Sequence, residues 1–304
     1  MMSQQFKEQG GAATVNPSPL TRLITSNLAS YLNSEKKLIK RRLTAEKARQ
    51  KADRTHVVDY FHQVEDGYSH LASQVLEKFV RRYDIELRCQ IVRGPEGKNA
   101  PDAALLLKLS QYDSALIADE YGLNFPSGGI PPSPESVRQA NALLANVPRT
   151  ELPTLMATVG DTLWRGDDAS LAALIDQHGC ASPDETEVRL NLDTALQREL
   201  KHYSGAMFHY EGEWYWGVDR LHYLEARLGE LGADHQPAQP HITRCPEVTI
   251  EGVDNASDLT LEFFPSLRSP YTSIVFDETI ELAKKAGVNL VVRPVLPMVM
   301  RGVP

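Results

Sequence analysis

Between residues 68 and 80 the apolar positions fall at Tyr68, Leu71, Ala72, Val75, Leu76, Phe79 and Val80. That three-and-four spacing predicts an amphipathic helix. Two short runs rich in Val, Ile and aromatic residues flank it, "THVVDYFHQ" before and "IELRCQIV" after. Both read as strands, so the segment predicts a β-α-β unit with parallel strands. From Pro101 to about Tyr203 the pattern is helical, in segments near 101–120, 134–147, 150–164, 168–178 and 186–203. Next, "AMFHYEGEWYWG" predicts a β-hairpin turning at Glu211-Gly212, followed by a helix in "VDRLHYLEARLGELG". A polar linker, "ADHQPAQPHITRCPEV", leads to another strand candidate, "DLTLEFF".

At the start of the chain, residues 1–18 read as a disordered tail. Ser18-Pro19 places a cap and a first-turn proline at the head of a helical arm that runs to about residue 54. The break "NFPSGGIPPSP" contains a Ser-Gly-Gly, but no strand precedes it, so it reads as a connecting loop rather than a phosphate cradle.

An internal repeat becomes visible when the chain is shifted by 203 residues. Asp59-Tyr60-Phe61 falls on Glu262-Phe263-Phe264, Asp66-Gly67-Tyr68-Ser69 on Ser269-Pro270-Tyr271-Thr272, and Ile85 and Leu87 on Val288 and Leu290. The predicted organisation is therefore a basic helical arm (19–54), a first domain (55–232) with a helical insertion of about 99–203, a linker (233–257), and a partial second unit (258–304). A bare β-α-β leaves a helix face and a sheet edge uncovered. The expectation is that the chain is a fragment of a longer tandem protein, or that this unit is completed by homodimerisation or by intrachain pairing of the two copies.

Composition narrows the function classes. At 42% hydrophobic and 24% charged residues, the 304-residue chain is that of a soluble globular protein. The N-terminus is too polar for a secretory signal and no apolar run is long enough for a bilayer span, so a cytoplasmic protein without membrane contact is expected. Three dispersed cysteines, Cys89, Cys180 and Cys245, form no C-x-x-C pair and exclude a dithiol redox centre, and histidine spacing indicates no metal site. The net charge of −8 hides a local excess: residues 33–54 carry nine Lys or Arg against three acids, or +6. This basic stretch reads as a solvated helical face docked on an acidic body; without interleaved aromatic residues it argues against a nucleic-acid partner.

The stretches "LEFFPSLRSPYTSIVFDETIELAKKAGVNLVVRPVL" and "GEWYWGVDRLHYLEARL", the latter around a Trp-Gly-x-Asp-Arg-Leu pattern, carry a family resemblance. The order of elements resembles the DsbA-like superfamily of thioredoxin folds, and within it the 2-hydroxychromene-2-carboxylate isomerases and kappa-class glutathione transferases. It implies an α/β thioredoxin-like fold with an all-helical insertion, glutathione as co-substrate, and a small aromatic or hydrophobic substrate. Residue by residue, it implies that Ser269 lies beside the glutathione sulfur, that Pro270 and Tyr271 shape the turn, and that Asp219 and Arg220 help to hold glutathione. A helix N-terminus suits an anion such as a thiolate.

Each of these residues also has a plainer reading. Ser269 before Pro270 is a common helix cap, and Asp219-Arg220 is a capping and ion-pair feature. Phe208, Tyr210, Trp214, Tyr215 and Trp216 read first as core and hairpin packing, then as a platform for the acceptor substrate. The first copy departs from the family in two places. Asp66, a good cap, stands where the serine belongs and would repel a thiolate, and Ala206 stands where the family has a cis-proline, so a trans bond is expected. Glu65 and Asp66, adjacent at a strand-to-helix turn, are expected to point apart rather than act as an acid/base pair. The competing overall reading is a non-catalytic tandem thioredoxin-like scaffold or protein-interaction module.

Overall fold

Strand β1 (Val57–His62) is the centre of the first domain, and its Val58, Tyr60, Phe61 and His62 are all buried. A computed structural model describes residues 18–100, 102–126, 131–245, 256–266 and 269–295. The expected N-terminal tail, the Ser-Gly-Gly loop, the distal linker, Leu267-Arg268 and the last nine residues lie outside the described residues. The chain divides into two units, residues 30–96 with 102–246, and residues 1–29 with 97–101 and 247–304.

In the larger unit β1 passes through helix α3 (Gly67–Arg82) to β2 (Glu86–Ile91), which pairs parallel to it. The arm that precedes β1 is two helices rather than one: α1 (Pro19–Leu32) and α2 (Glu35–Lys51), interrupted around Ser34. Five helices form the insertion: α4 (Ala103–Ala118), α5 (Pro134–Asn146), α6 (Leu152–Arg165), α7 (Asp168–His178) and α8 (Pro183–Glu199). Side-chain caps start most of them, including Asp102, Ser133, Asp167 and Ser182, the last as a full capping box with Glu185. Then β3 (Met207–Tyr210) and β4 (Glu213–Trp216) form the hairpin, and α9 (Gly217–Glu230) closes the domain. Glu211 and Gly212 both have positive φ, 43° and 81°, the backbone a tight two-residue hairpin turn requires.

The sheet order is β2-β1-β3-β4, with β3 antiparallel to β1. A β-α-β unit joined to a β-β-α unit in that order is the thioredoxin-like fold, here carrying its helical insertion between β2 and β3. The main core holds Tyr60, Leu76, Phe79, Phe208 and Leu224, all fully buried, and α6 supplies Met156 and Val159 against α3. A smaller cluster on the opposite side of β1 and β3 packs Phe61, Val92 and Met207 against Leu196, Leu200 and Trp214.

The expected linker begins as part of this domain. Glu225 of α9, fully buried, accepts from Tyr83 Oη (3.0 Å), the Ile242 amide (2.7 Å), and the Thr243 amide (2.9 Å) and hydroxyl (2.8 Å). Buried Arg82 forms a two-point ion pair with Asp234 at 3.0 and 2.8 Å and also donates to the Gln239 carbonyl at 2.9 Å. Buried charges persist only when fully paired, so residues 234–243 are a strap held by two such groups.

In the smaller unit, β5 (Thr260–Phe263) and β6 (Asn289–Val292) pair parallel across helix α10 (Pro270–Ala286). Its register, Thr260 opposite Asn289, is Val57 opposite Glu86 displaced by 203 residues in both strands. The connecting hydrogen bonds repeat at the same displacement: Gln63 N to Ser69 Oγ and Ser266 N to Thr272 Oγ1, both 3.2 Å. The apolar side chains of α10 differ in environment, because Tyr271, Ile274, Val275 and Leu282 are exposed.

Candidate functional site

The first predicted site is the turn from β1 into α3. Asp66, with extended backbone, accepts at Oδ2 from both the Ser69 amide and the Ser69 hydroxyl, each at 2.9 Å. It is the cap its sequence position predicts. Ala206 reaches this turn from the loop before β3, with every described peptide bond trans and its own φ at +55°. A left-handed backbone at alanine costs about 1 kcal/mol, and it is held by the Gly217 amide donating to the Ala206 carbonyl at 2.8 Å.

This helix end is closed. A methyl group on Gly67 would stand 2.6 Å from Ser114 Oγ and 2.9 Å from the Ser110 carbonyl oxygen of α4. One on Gly205 would stand 2.7 Å from Gln63 Cβ and 2.8 Å from Ser69 Oγ. Only glycine permits such approaches, so α4 and the 205–206 loop occupy the space in which a ligand sulfur would meet the helix N-terminus. Sequence reasoning missed Gly67, Gly205, Ser110 and Ser114. The glycines were visible, but nothing local tells which backbone will approach them.

Electrostatics point the same way. Burial pushes the Asp66 carboxyl up to about 6 against the lowering effect of the Ser69 bonds, and burial also raises Glu65. Glu65 accepts from Gln63 Nε2 at 3.1 Å, a partner that Asp66 does not share, and its charge adds to the raising of Asp66. Behind them, burial lowers His62 to about 3 and His70 to about 4. Tyr60 gives its one hydroxyl proton to the Ser69 carbonyl at 3.0 Å, so the His62 Nδ1 that lies 3.1 Å from Tyr60 Oη carries its own proton. Cys89 is fully buried and burial drives its thiol upward, which makes it inert.

Asp219 and Arg220 begin α9 in this same unit. Their ion pair is long, 3.7 Å, and largely exposed, while burial raises the Asp219 carboxyl. At the end of β4, just before α9, Trp216 meets Tyr68 of α3 edge-on at 5.4 Å, and Tyr68 donates to Asp113 Oδ2 at 2.8 Å. Of the aromatic cluster, Phe208, Tyr210 and Tyr215 are buried in the core, and Trp216 is half exposed. Packing is therefore the main role of this group.

Ser269 and Tyr271 belong to the other unit, as does Pro270 at the first helical turn. Ser269 has the N-cap backbone, φ −87° and ψ 128°, and its carbonyl accepts from the Ser273 amide at 3.3 Å. Its hydroxyl makes no capping bond. This corrects the expectation of a side-chain cap shared by both turns: the backbone geometry recurs, but only Asp66 closes it with a side chain. A prolyl nitrogen at the first turn offers no N–H, and the Tyr271 ring is 79% exposed beside it. No helix among the described residues is long and apolar enough to cross a membrane, and no group of three or more potential ligands could hold a metal there.

No protein-family profile matches the sequence, and no curated protein matches it. Among solved structures the chain is similar to a 2-hydroxychromene-2-carboxylate isomerase, at 21% identity over 58% of this chain and 96% of that one, with a TM-score of 0.44. It is also similar to a Nitrosomonas europaea protein described as a protein disulfide isomerase, at 12% identity over 59% and 98%, with a TM-score of 0.43. The thioredoxin-like assignment rests on the strand order above.

Proposed function

We propose that the chain is a glutathione-dependent isomerase or transferase of the 2-hydroxychromene-2-carboxylate isomerase type, with the chemistry at Ser269 and the Asp66 domain as a non-catalytic scaffold. The observation that supports it is the contrast between two residues with the same backbone role. Asp66 closes its helix end with a carboxylate, whereas the Ser269 hydroxyl makes no capping bond to its helix. On this reading β5-α10-β6 is a second copy of the β1-α3-β2 unit, a view supported by the shared 203-residue displacement of register and hydrogen bonds.

The residues at Ser269 fit a thiol ligand and those at Asp66 do not. Ser269 Oγ can donate a hydrogen bond to sulfur, and the positive end of the 17-residue α10 favours the thiolate form. Pro270 fixes the turn that presents the hydroxyl, and exposed Tyr271 offers a ring to a small aromatic or hydrophobic substrate. Glutathione would supply a nucleophile that adds reversibly to the substrate and is regenerated when the isomer leaves. At Asp66, by contrast, a carboxylate and two close-packed glycines oppose any such ligand.

Calorimetric titration with glutathione tests this. Heat of binding from the chain, lost in Ser269→Ala and retained in Asp66→Asn, is the expected result. No heat from the unaltered chain, or equal heat from Ser269→Ala, would leave the scaffold reading, which the closed α3 terminus favours for the first domain.

A further inference from the structure

The arm helix α2 has two chemically distinct sides. Two of its three arginines, and one just beyond it, turn to acidic partners: Arg42 pairs with Glu213 of β4 at 2.8 Å, Arg49 with Glu46 at 2.7 Å, and Arg54 with Glu211 of the hairpin turn at 2.7 Å, while Arg41 is exposed. Its lysines do not. Lys36, Lys40, Lys47 and Lys51 recur at four, seven and four residues, which sets them in one row along the helix. All four are exposed, and none has an ion pair among the described residues. Beside that row, Ile39 and Leu43 are 48% and 56% exposed. Helix α1, taken by itself, carries a second apolar row in which Leu20, Ile24 and Leu28 are each more than half exposed.

We propose that the arm binds peripherally to an anionic lipid surface, in place of the membrane-free state expected from composition. A row of unpaired lysines complements a layer of negative headgroups, and apolar side chains held out in water gain by entering the acyl boundary. Both features sit on the one side of α2 that the domain leaves free. A nucleic acid would satisfy the charge but not the leucines and isoleucines. Three of the four guanidinium groups here, the better match for bidentate phosphate recognition, are turned away to glutamates, which leaves Arg41 alone beside the lysines.

Cosedimentation of the full chain with vesicles of phosphatidylglycerol and phosphatidylcholine, compared with phosphatidylcholine alone, tests the proposal. Binding to the anionic vesicles that weakens as salt rises is expected. Each lysine contributes about fivefold, so Lys36→Gln, Lys40→Gln, Lys47→Gln and Lys51→Gln together should lower affinity several hundredfold. Ile39→Ser with Leu43→Ser should lower it at least tenfold. These positions are exposed, so circular dichroism of each variant should match the unaltered chain. Equal binding to neutral and anionic vesicles, or none to either, overturns the proposal. So does a dimer abolished by the Ile39/Leu43 variant without vesicle binding, or retention of single-stranded RNA in place of vesicles.

Discussion

Asp66→Asn is expected to stabilise the protein above pH 7 and to do nothing below pH 4. The carboxyl is partly buried against Gly205, and burial is the largest influence on it, raising it from 3.8 to about 6. An interval of that size corresponds to about 3 kcal/mol held against the ionised form. Asparagine caps a helix about as well as aspartate, so its side-chain oxygen can still accept from the Ser69 amide and hydroxyl. The extra strength of a charged acceptor is already contained in that interval, because the Ser69 bonds lower the carboxyl while burial raises it. The gain at pH 8 is therefore about 3 kcal/mol.

The sign follows from proton binding. A carboxyl raised in the folded state binds more protons there than in the unfolded chain between pH 3.8 and about 6. Its favourable contribution is complete below 3.8 and lost as pH rises through 6. Urea unfolding of the two proteins, followed by tryptophan emission at pH 8 and again at pH 4, measures the difference directly. Destabilisation of the variant at pH 8, or a difference that is the same at both pH values, would refute the burial account and leave Asp66 an ordinary surface cap.

His62 and His70 act in the opposite sense. Burial lowers them to about 3 and 4, so the stability they contribute is present above pH 6.5 and lost as pH falls. Between pH 6 and 4, His62→Phe should reduce the acid slope of unfolding free energy by one proton, about 1.4 kcal/mol per pH unit; an unchanged slope would contradict a neutral buried His62. Gly67→Ala should cost about 1–3 kcal/mol, because its methyl group would press on Ser114 Oγ and the Ser110 carbonyl. A thermal midpoint within error of the unaltered protein would mean that α4 does not cover this helix end.

Most of the architecture was legible in the sequence because it depends on local periodicity. The apolar stripe of α3, the Glu211-Gly212 turn and the insertion helices all rest on spacing or turn chemistry within a few residues. The β1-α3-β2 and β5-α10-β6 units could be matched from the sequence, since a gapless 203-residue shift lays strand on strand and helix on helix, though only Asp66 of the two turn residues caps with its side chain. What stayed hidden depends on distant partners. The strap at 234–243 reads as linker because its residues are polar, yet Glu225 and Arg82, on faces that look solvated, bury themselves by binding it. Closure of the α3 terminus likewise needs α4 and the 205–206 loop in place.

The two strand-to-helix turns differ most in what meets the positive end of the helix. At α3 the chain supplies its own anion: Asp66 is tethered within 2.9 Å of the Ser69 amide, so any external anion must displace a group whose effective concentration is far above its own. At α10 the residue in that place is neutral, and its hydroxyl does not bond the helix amides, so Ser269 itself supplies no charge to the helix end. Identical backbone geometry therefore predicts opposite responses to a thiolate. Placing a carboxylate at the second turn, as Ser269→Asp, should reproduce the first: a stronger cap, and lower affinity for any anionic sulfur.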